Sequence, residues 1–123
     1  MDTLAESLDM ARQVAQAALD KQAEDVVVID VHERLPMVDA FVVASADNER
    51  LVRAVGDACD EALAKLKVSP RRFEGDDTYQ WLLIDAGRIV VHVFCGEERD
   101  HYDLVRLWHD SPHQQIEPAE AVK

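Results

Sequence analysis

A chain of 123 residues that is 48% apolar has room for one domain around one hydrophobic core, and it is too apolar for a disordered segment. No apolar run is long enough to cross a bilayer, and two cysteines, Cys59 and Cys95, are too few for a disulfide framework and lack metal-type spacing. Thirteen Lys and Arg against 25 Asp and Glu give a formal net charge of -12, which excludes a basic nucleic-acid face and leaves a solvated acidic surface or a basic partner.

The opening MDTLAESLDM is acidic and has none of the basic start or apolar middle of a signal peptide, so a cytoplasmic location is expected. From Leu4 to about Gln22, apolar residues at Leu4, Leu8, Ala11, Ala15 and Ala18 fall on one helical face. VVVIDV at 26–31 is an unbroken β-branched run, which suits a strand covered on both faces. A second strand reads AFVVAS at 40–45. Asp47 is placed to cap a helix running to about Lys67, with Leu51, Val55, Ala58, Ala62 and Leu66 inward. Pro70 lies where a helix cannot continue. A short strand over 71–74 and a turn at 75–77 follow.

Next comes YQWLLIDAGRIVVHVF at 79–94, two apolar runs joined by a turn. With Ala86-Gly87 as a two-residue turn, Asp85 opposes Arg88 and Trp81 opposes His92. Alternation then puts Leu82, Ile84, Ile89, Val91 and Val93 on one aliphatic face. The other face carries Trp81, Leu83, Asp85, Arg88, Val90, His92 and Phe94. An aromatic centre with a charged rim is the composition of a protein–protein contact, with Trp81 as anchor. The competing expectation is that a last helix over 97–108 packs Tyr102 and Trp108 there, making Trp81 and His92 core residues. The residues leave both open.

The order of elements predicts a single α/β domain over 1–110, a mixed five-stranded sheet with flanking helices, and a frayed tail over 111–123. The helix between strands two and three predicts that those two strands run parallel. Chemistry is sparse. There is no Asp-x-Asp pair for Mg²⁺, no Gly-rich phosphate loop and no zinc-type histidine spacing. Glu74, Asp76 and Asp77 sit in a turn that favours acids for conformational reasons. No catalytic residue, metal or cofactor is expected.

The sequence resembles the ribosomal silencing factor family, also called Iojap-related. The resemblance is carried by KQAEDVVVIDV at 21–31, DAFVVAS at 39–45, Glu74-Gly75, WLLIDAGRIVVHVF at 81–94 and ERDHYDLVRLWHD at 98–110. It implies a nucleotidyltransferase-like topology without transferase activity. It also implies binding to the large ribosomal subunit through its basic universal protein fourteen, which blocks subunit joining and damps translation when nutrients are short. A homodimer is implied for the free protein. The family's Trp and Asp-x-Gly motif falls on Trp81, Asp85 and Gly87, and its His-Val motif on His92 and Val93. The implied partner-binding set is Trp81, Leu83, Asp85, Ala86, Arg88, Val90, His92 and Phe94. Three places depart from the family. Ala46 replaces a usual glycine, Ala86-Gly87-Arg88 replaces a bulky residue, glycine and an acid, and Trp108-His109 replaces Trp-Gly. The alternatives are a transferase-like enzyme using Asp85 and Glu74, or a self-associating module.

Overall fold

A computed structural model describes residues 4–68, 72–75 (backbone only), 80–96 and 104–116. Its elements are α1 (Leu4–Asp20), β1 (Glu24–Asp30), β2 (Ala40–Ala46), α2 (Glu49–Lys65), β3 (Arg72–Gly75), β4 (Trp81–Asp85), β5 (Ile89–Cys95) and β6 (His113–Gln115). The strands form one sheet in the order β3-β4-β5-β2-β1-β6. The mixed five-stranded α/β arrangement is present, and β6 adds a short strand at the edge.

That sixth strand departs from expectation. The chain over 111–116 does not stand free. Asp30 N–H donates to Pro112 carbonyl, β6 pairs antiparallel with β1, and Ile116 N–H donates to Val26 carbonyl. Polar His-Gln-Gln has no apolar period to announce a strand, because all three side chains face water and only the backbone pairs. Residues 117–123 lie outside the described residues. So do Pro70, the turn at 76–77 and residues 97–103 of the expected last helix, of which 104–107 is helical.

β2 pairs parallel with β5, while β5–β4 and β4–β3 pairs are antiparallel. β2 and β3 therefore do run parallel, but β4 and β5 lie between them. α2 crosses the sheet to the far edge, and the chain returns by two tight antiparallel pairings.

Both faces of β1 are buried, as an unbroken run of β-branched residues predicts. Val26 and Val28 join the helix-side core, while Val27, Ile29 and Val31 join a second cluster on the opposite face. A bulge between Glu24 and Val27 sets this phase, with Asp25 in the left-handed region at φ 51°. The helix-side core gathers Ala11, Val14, Ala15 and Ala18 of α1, Val52, Val55, Cys59 and Leu63 of α2, and Leu82, Ile84, Ile89, Val91 and Val93 of the hairpin. The five hairpin residues match the expected aliphatic face.

The helices differ in phase. Val52, Val55, Gly56, Cys59 and Leu63 are the buried line of α2, and Leu51, Ala62 and Leu66 flank it half-buried. Small Gly56 lets α2 settle close to the sheet, so the inward line runs through residues that apolarity alone would not choose. An alanine Cβ there would lie 2.8 Å from Leu82 Cδ1. In α1 the inward line includes Ser7 and Val14, with Leu8 at its margin. The cap of α2 is Asn48, not Asp47, because Asn48 Oδ1 accepts the Leu51 N–H at 2.9 Å from an extended residue.

The hairpin register also moves. Asp85 pairs with Val90, Leu83 with His92 and Trp81 with Phe94. The turn is Gly87-Arg88, closed by Ala86 N–H donating to Ile89 carbonyl at 2.9 Å. Gly87 has φ 83°, the positive value that a two-residue turn of type II′ needs at its first central position. Turning at Ala86-Gly87 would put alanine at that first position, where its Cβ is strained. The slip is two residues, so every side chain keeps its face.

Candidate partner-binding face

The sheet face opposite the helices is read most simply in rows across the strands. One row is Asp85–Val90–Phe41–Ile29, the next Leu83–His92–Val43–Val27, and the third Trp81–Phe94–Ser45–Glu24. The rows divide into a covered half and a half-open one. On β1 and β2, Val27, Ile29, Phe41 and Val43 are buried with Trp108 and Phe94. Trp108 meets Phe41 edge-on at 5.4 Å, and the Arg34 guanidinium lies over the indole at 4.2 Å. The competing expectation therefore holds for this half, since Trp108 does pack on the sheet. Tyr102 lies outside the described residues.

On β4 and β5, Trp81, Leu83, Asp85 and Val90 are half-buried. Trp81, Leu83 and Val90, with the aromatic cluster behind them, make an apolar surface with access to solvent, and Asp85 lies at its edge. Phe94 is only 5% exposed and acts as support beneath that surface. Ala86 turns to the other side and packs in the helix-side core at 9% exposure, so the sheet brings it to the wrong face for a direct contact. Arg88 stands exposed at the hairpin tip.

The polar rim is built by the chain itself. Asp85 Oδ1 accepts the Gly87 N–H at 3.0 Å, which holds the turn from inside. Arg88 Nη1 donates to the buried Asp39 carboxylate at 3.2 Å, while the Arg88 carbonyl accepts the N–H of Asp39 at 2.8 Å and of Ala40 at 3.1 Å. Near the start of that loop, His32 and Asp30 are 2.6 Å apart, and this hydrogen bond raises the His32 pKa above its usual value. His92 is the opposite case. Burial pushes its pKa down to about 4, so it is neutral at pH 7.

Sequence reasoning missed part of this surface. Leu35 and Val38, from the loop between β1 and β2, pack against the sheet cluster, as do Leu104 and Val105. Met37 and Leu107 stand beside these segments, 77% and 61% exposed. The signal was available in Leu35-Pro36-Met37-Val38, four apolar residues in a loop whose period fits neither helix nor strand.

A model of the family described as "Ribosomal silencing factor during starvation" matches residues 4–123. The chain belongs to the ribosomal silencing factor family. A ribosomal silencing factor of Bacillus subtilis is 33% identical over 98 residues, covering 80% of this chain and 83% of the relative. A crystal structure from Bacillus halodurans superposes with a TM-score of 0.75 at 30% identity, covering 88% of this chain and 98% of that one. A mouse protein named "Mitochondrial assembly of ribosomal large subunit protein 1" is 31% identical over 91 residues, which is 72% of this chain and 40% of that protein. Among the described residues no helix is long and apolar enough to cross a membrane, and no group of three or more His, Cys, Asp or Glu could hold a metal ion.

Proposed function

We propose that this silencing factor binds the large ribosomal subunit through the β4–β5 half of the sheet and prevents subunit joining by obstruction, without catalysis. The observation that carries the reading is the half-buried Trp81 on a surface braced by Phe94 and Phe41 and edged by Asp85 and Arg88. A large aromatic that is neither core nor free is what a contact anchor requires. The mouse relative's name points to the large subunit, and the net charge of -12 favours a basic protein on it, for which universal protein fourteen is the expected candidate. The free protein pairs with a second copy through the same surface, as a cytoplasmic storage form. Trp81, Leu83 and Val90 make the apolar contact, and Asp85 and Arg88 set its orientation.

Co-sedimentation of the purified protein with isolated large subunits tests this, beside Trp81→Glu. The wild type pellets with the subunit, and the variant stays in the supernatant while melting cooperatively. Failure of the wild type to pellet, or loss of the variant's melt along with its binding, overturns the reading.

A further inference from the structure

His92 has two ring nitrogens, and neither has a hydrogen-bond partner among the described residues, although both are buried from solvent. Its surroundings explain why. Leu83 lies opposite on β4, Val43 on β2, and Val90 and Phe94 sit two residues away along β5. Phe41 meets the imidazole edge-on at 5.0 Å, and Trp81 and Phe94 lie nearly parallel to it at 6.3 and 6.2 Å. Apart from the Trp81 indole N–H, none of these side chains can donate or accept a hydrogen bond. A phenylalanine or leucine would suit the position better. Buried polar atoms are nearly always paired, so an unpaired imidazole in the middle of a surface patch calls for a reason.

We propose that His92 is a contact residue whose hydrogen bond is made only in the complex. Trp81 turns off the imidazole to enter the partner, and a donor from the partner's basic surface takes the uncovered nitrogen. This rests on the proposed ribosome-facing role of the same surface. The chemistry of the donor follows from the state of the ring. A neutral imidazole keeps one nitrogen as an acceptor, so it recognises a Lys, Arg or hydroxyl group. Burial, which keeps the pKa near 4, keeps that acceptor open at physiological pH. In an apolar setting the bond is stronger than at an exposed site, and a partner without the donor leaves the nitrogen unpaired. His92 would thus separate correct partners from merely apolar ones. The movement required is local. Trp81 is half-buried at one end of β4, and the neighbouring Leu82 and Ile84 stay in the helix-side core on the other face.

The test uses His92→Phe and His92→Gln, read by thermal melting and by co-sedimentation with isolated large subunits, with Trp81→Glu in parallel. His92→Phe is expected to melt higher, by about 3–6 °C, because an unpaired buried group is removed. It is also expected to bind about tenfold more weakly, because the bond in the complex is gone. His92→Gln keeps a hydrogen-bonding group and should bind within about threefold of wild type. Wild-type affinity in His92→Phe overturns the proposal, and so does a lower melt. His92→Gln binding as poorly as His92→Phe overturns it as well, since ring shape would then be what matters. If Trp81→Glu loses binding while His92→Phe keeps it, the ribosome-facing role stands and the hydrogen bond falls. If the wild type does not pellet, both fall.

Discussion

Arg88 and Asp39 hold each other twice. The guanidinium donates to the Asp39 carboxylate at 3.2 Å, and the Arg88 carbonyl accepts the Asp39 N–H at 2.8 Å. The hairpin tip is thereby locked to the residue just before β2, and the rim of the candidate face inherits its shape from that lock. Asp39 is 6% exposed, whereas half of the Arg88 side chain remains accessible.

Arg88→Ala leaves a buried carboxylate without its cation, but the exposure of Arg88 screens the pair. The variant should lose about 1–2 kcal/mol in urea unfolding. Because the backbone bonds remain, the hairpin should persist, and amide exchange at Asp39 and Ala40 should quicken without reaching the rate of an open loop. An unchanged midpoint would mean that the backbone bonds alone hold the tip.

His92 titration should be visible in stability. Its folded pKa of about 4 lies below the ordinary 6.5 expected when the chain unfolds. Between those values the unfolded chain binds a proton that the folded chain refuses. The stability contribution is therefore complete above pH 6.5 and lost as pH falls towards 4. Between pH 7 and pH 5.5 this single group should cost about 1 kcal/mol, and His92→Phe should abolish that part of the slope. His32 has the opposite sign. Its raised pKa favours the folded state at low pH, and that contribution is lost as pH rises through the folded value. A wild-type profile that does not change in His92→Phe would show that His92 is already solvated.

Ser7 is fully buried on α1, and its hydroxyl has no partner among the described residues. Ser7→Ala removes an unpaired polar group and improves helix propensity, so it should stabilise by about 1 kcal/mol. It lies on the helix side of the sheet, and binding to large subunits should be unchanged. A destabilised variant would mean that the hydroxyl has a partner.

Gly56 tests how closely α2 sits on β4. A Cβ there meets Leu82 Cδ1 at 2.8 Å and Cδ2 at 3.0 Å, and Leu82 is fully buried. Overpacking costs about 1–3 kcal/mol, against a helix-propensity gain of about 1 kcal/mol. Gly56→Ala should therefore lose about 1 kcal/mol net. Combined with Leu82→Val it should recover part of that loss, giving a coupling energy in a double-mutant cycle. Simple additivity would mean that Leu82 has room to swing away.

Much of this architecture could be read from local pattern. Val26 to Ile29 announce a strand covered on both sides, and the alternation from Trp81 to Phe94 separates an aliphatic face from a mixed one. That separation survived a wrong turn position, because the slip between the predicted and observed register is two residues and side-chain parity has period two. What local pattern could not supply was tertiary. Only packing brings Leu35, Val38 and Trp108 onto the covered half of the face. Only the close approach at Gly56 selects Val52 and Cys59 over Leu51 and Ala58 as the inward line of α2. Which residues share the mixed face was legible as a strip, but its depth was not. Phe94 proved to be support, Ala86 belongs to the opposite core, and His92 is isolated by rings contributed from three strands.

β6 has a consequence for how the molecule is made. Among the described residues it is the last strand in chain order and pairs with the first, so Val27 to Ile29 wait for residues 113–115 before their outer backbone groups are matched. During synthesis the nascent sheet carries an open, β-branched flank until residues 113–115 have emerged. A pairing this distant in sequence is slow to close, and the flank is the place where two growing chains would stick. The polar, outward-facing His-Gln-Gln acts as a late seal, closing the sheet with a strip that offers water, not another chain, its side chains.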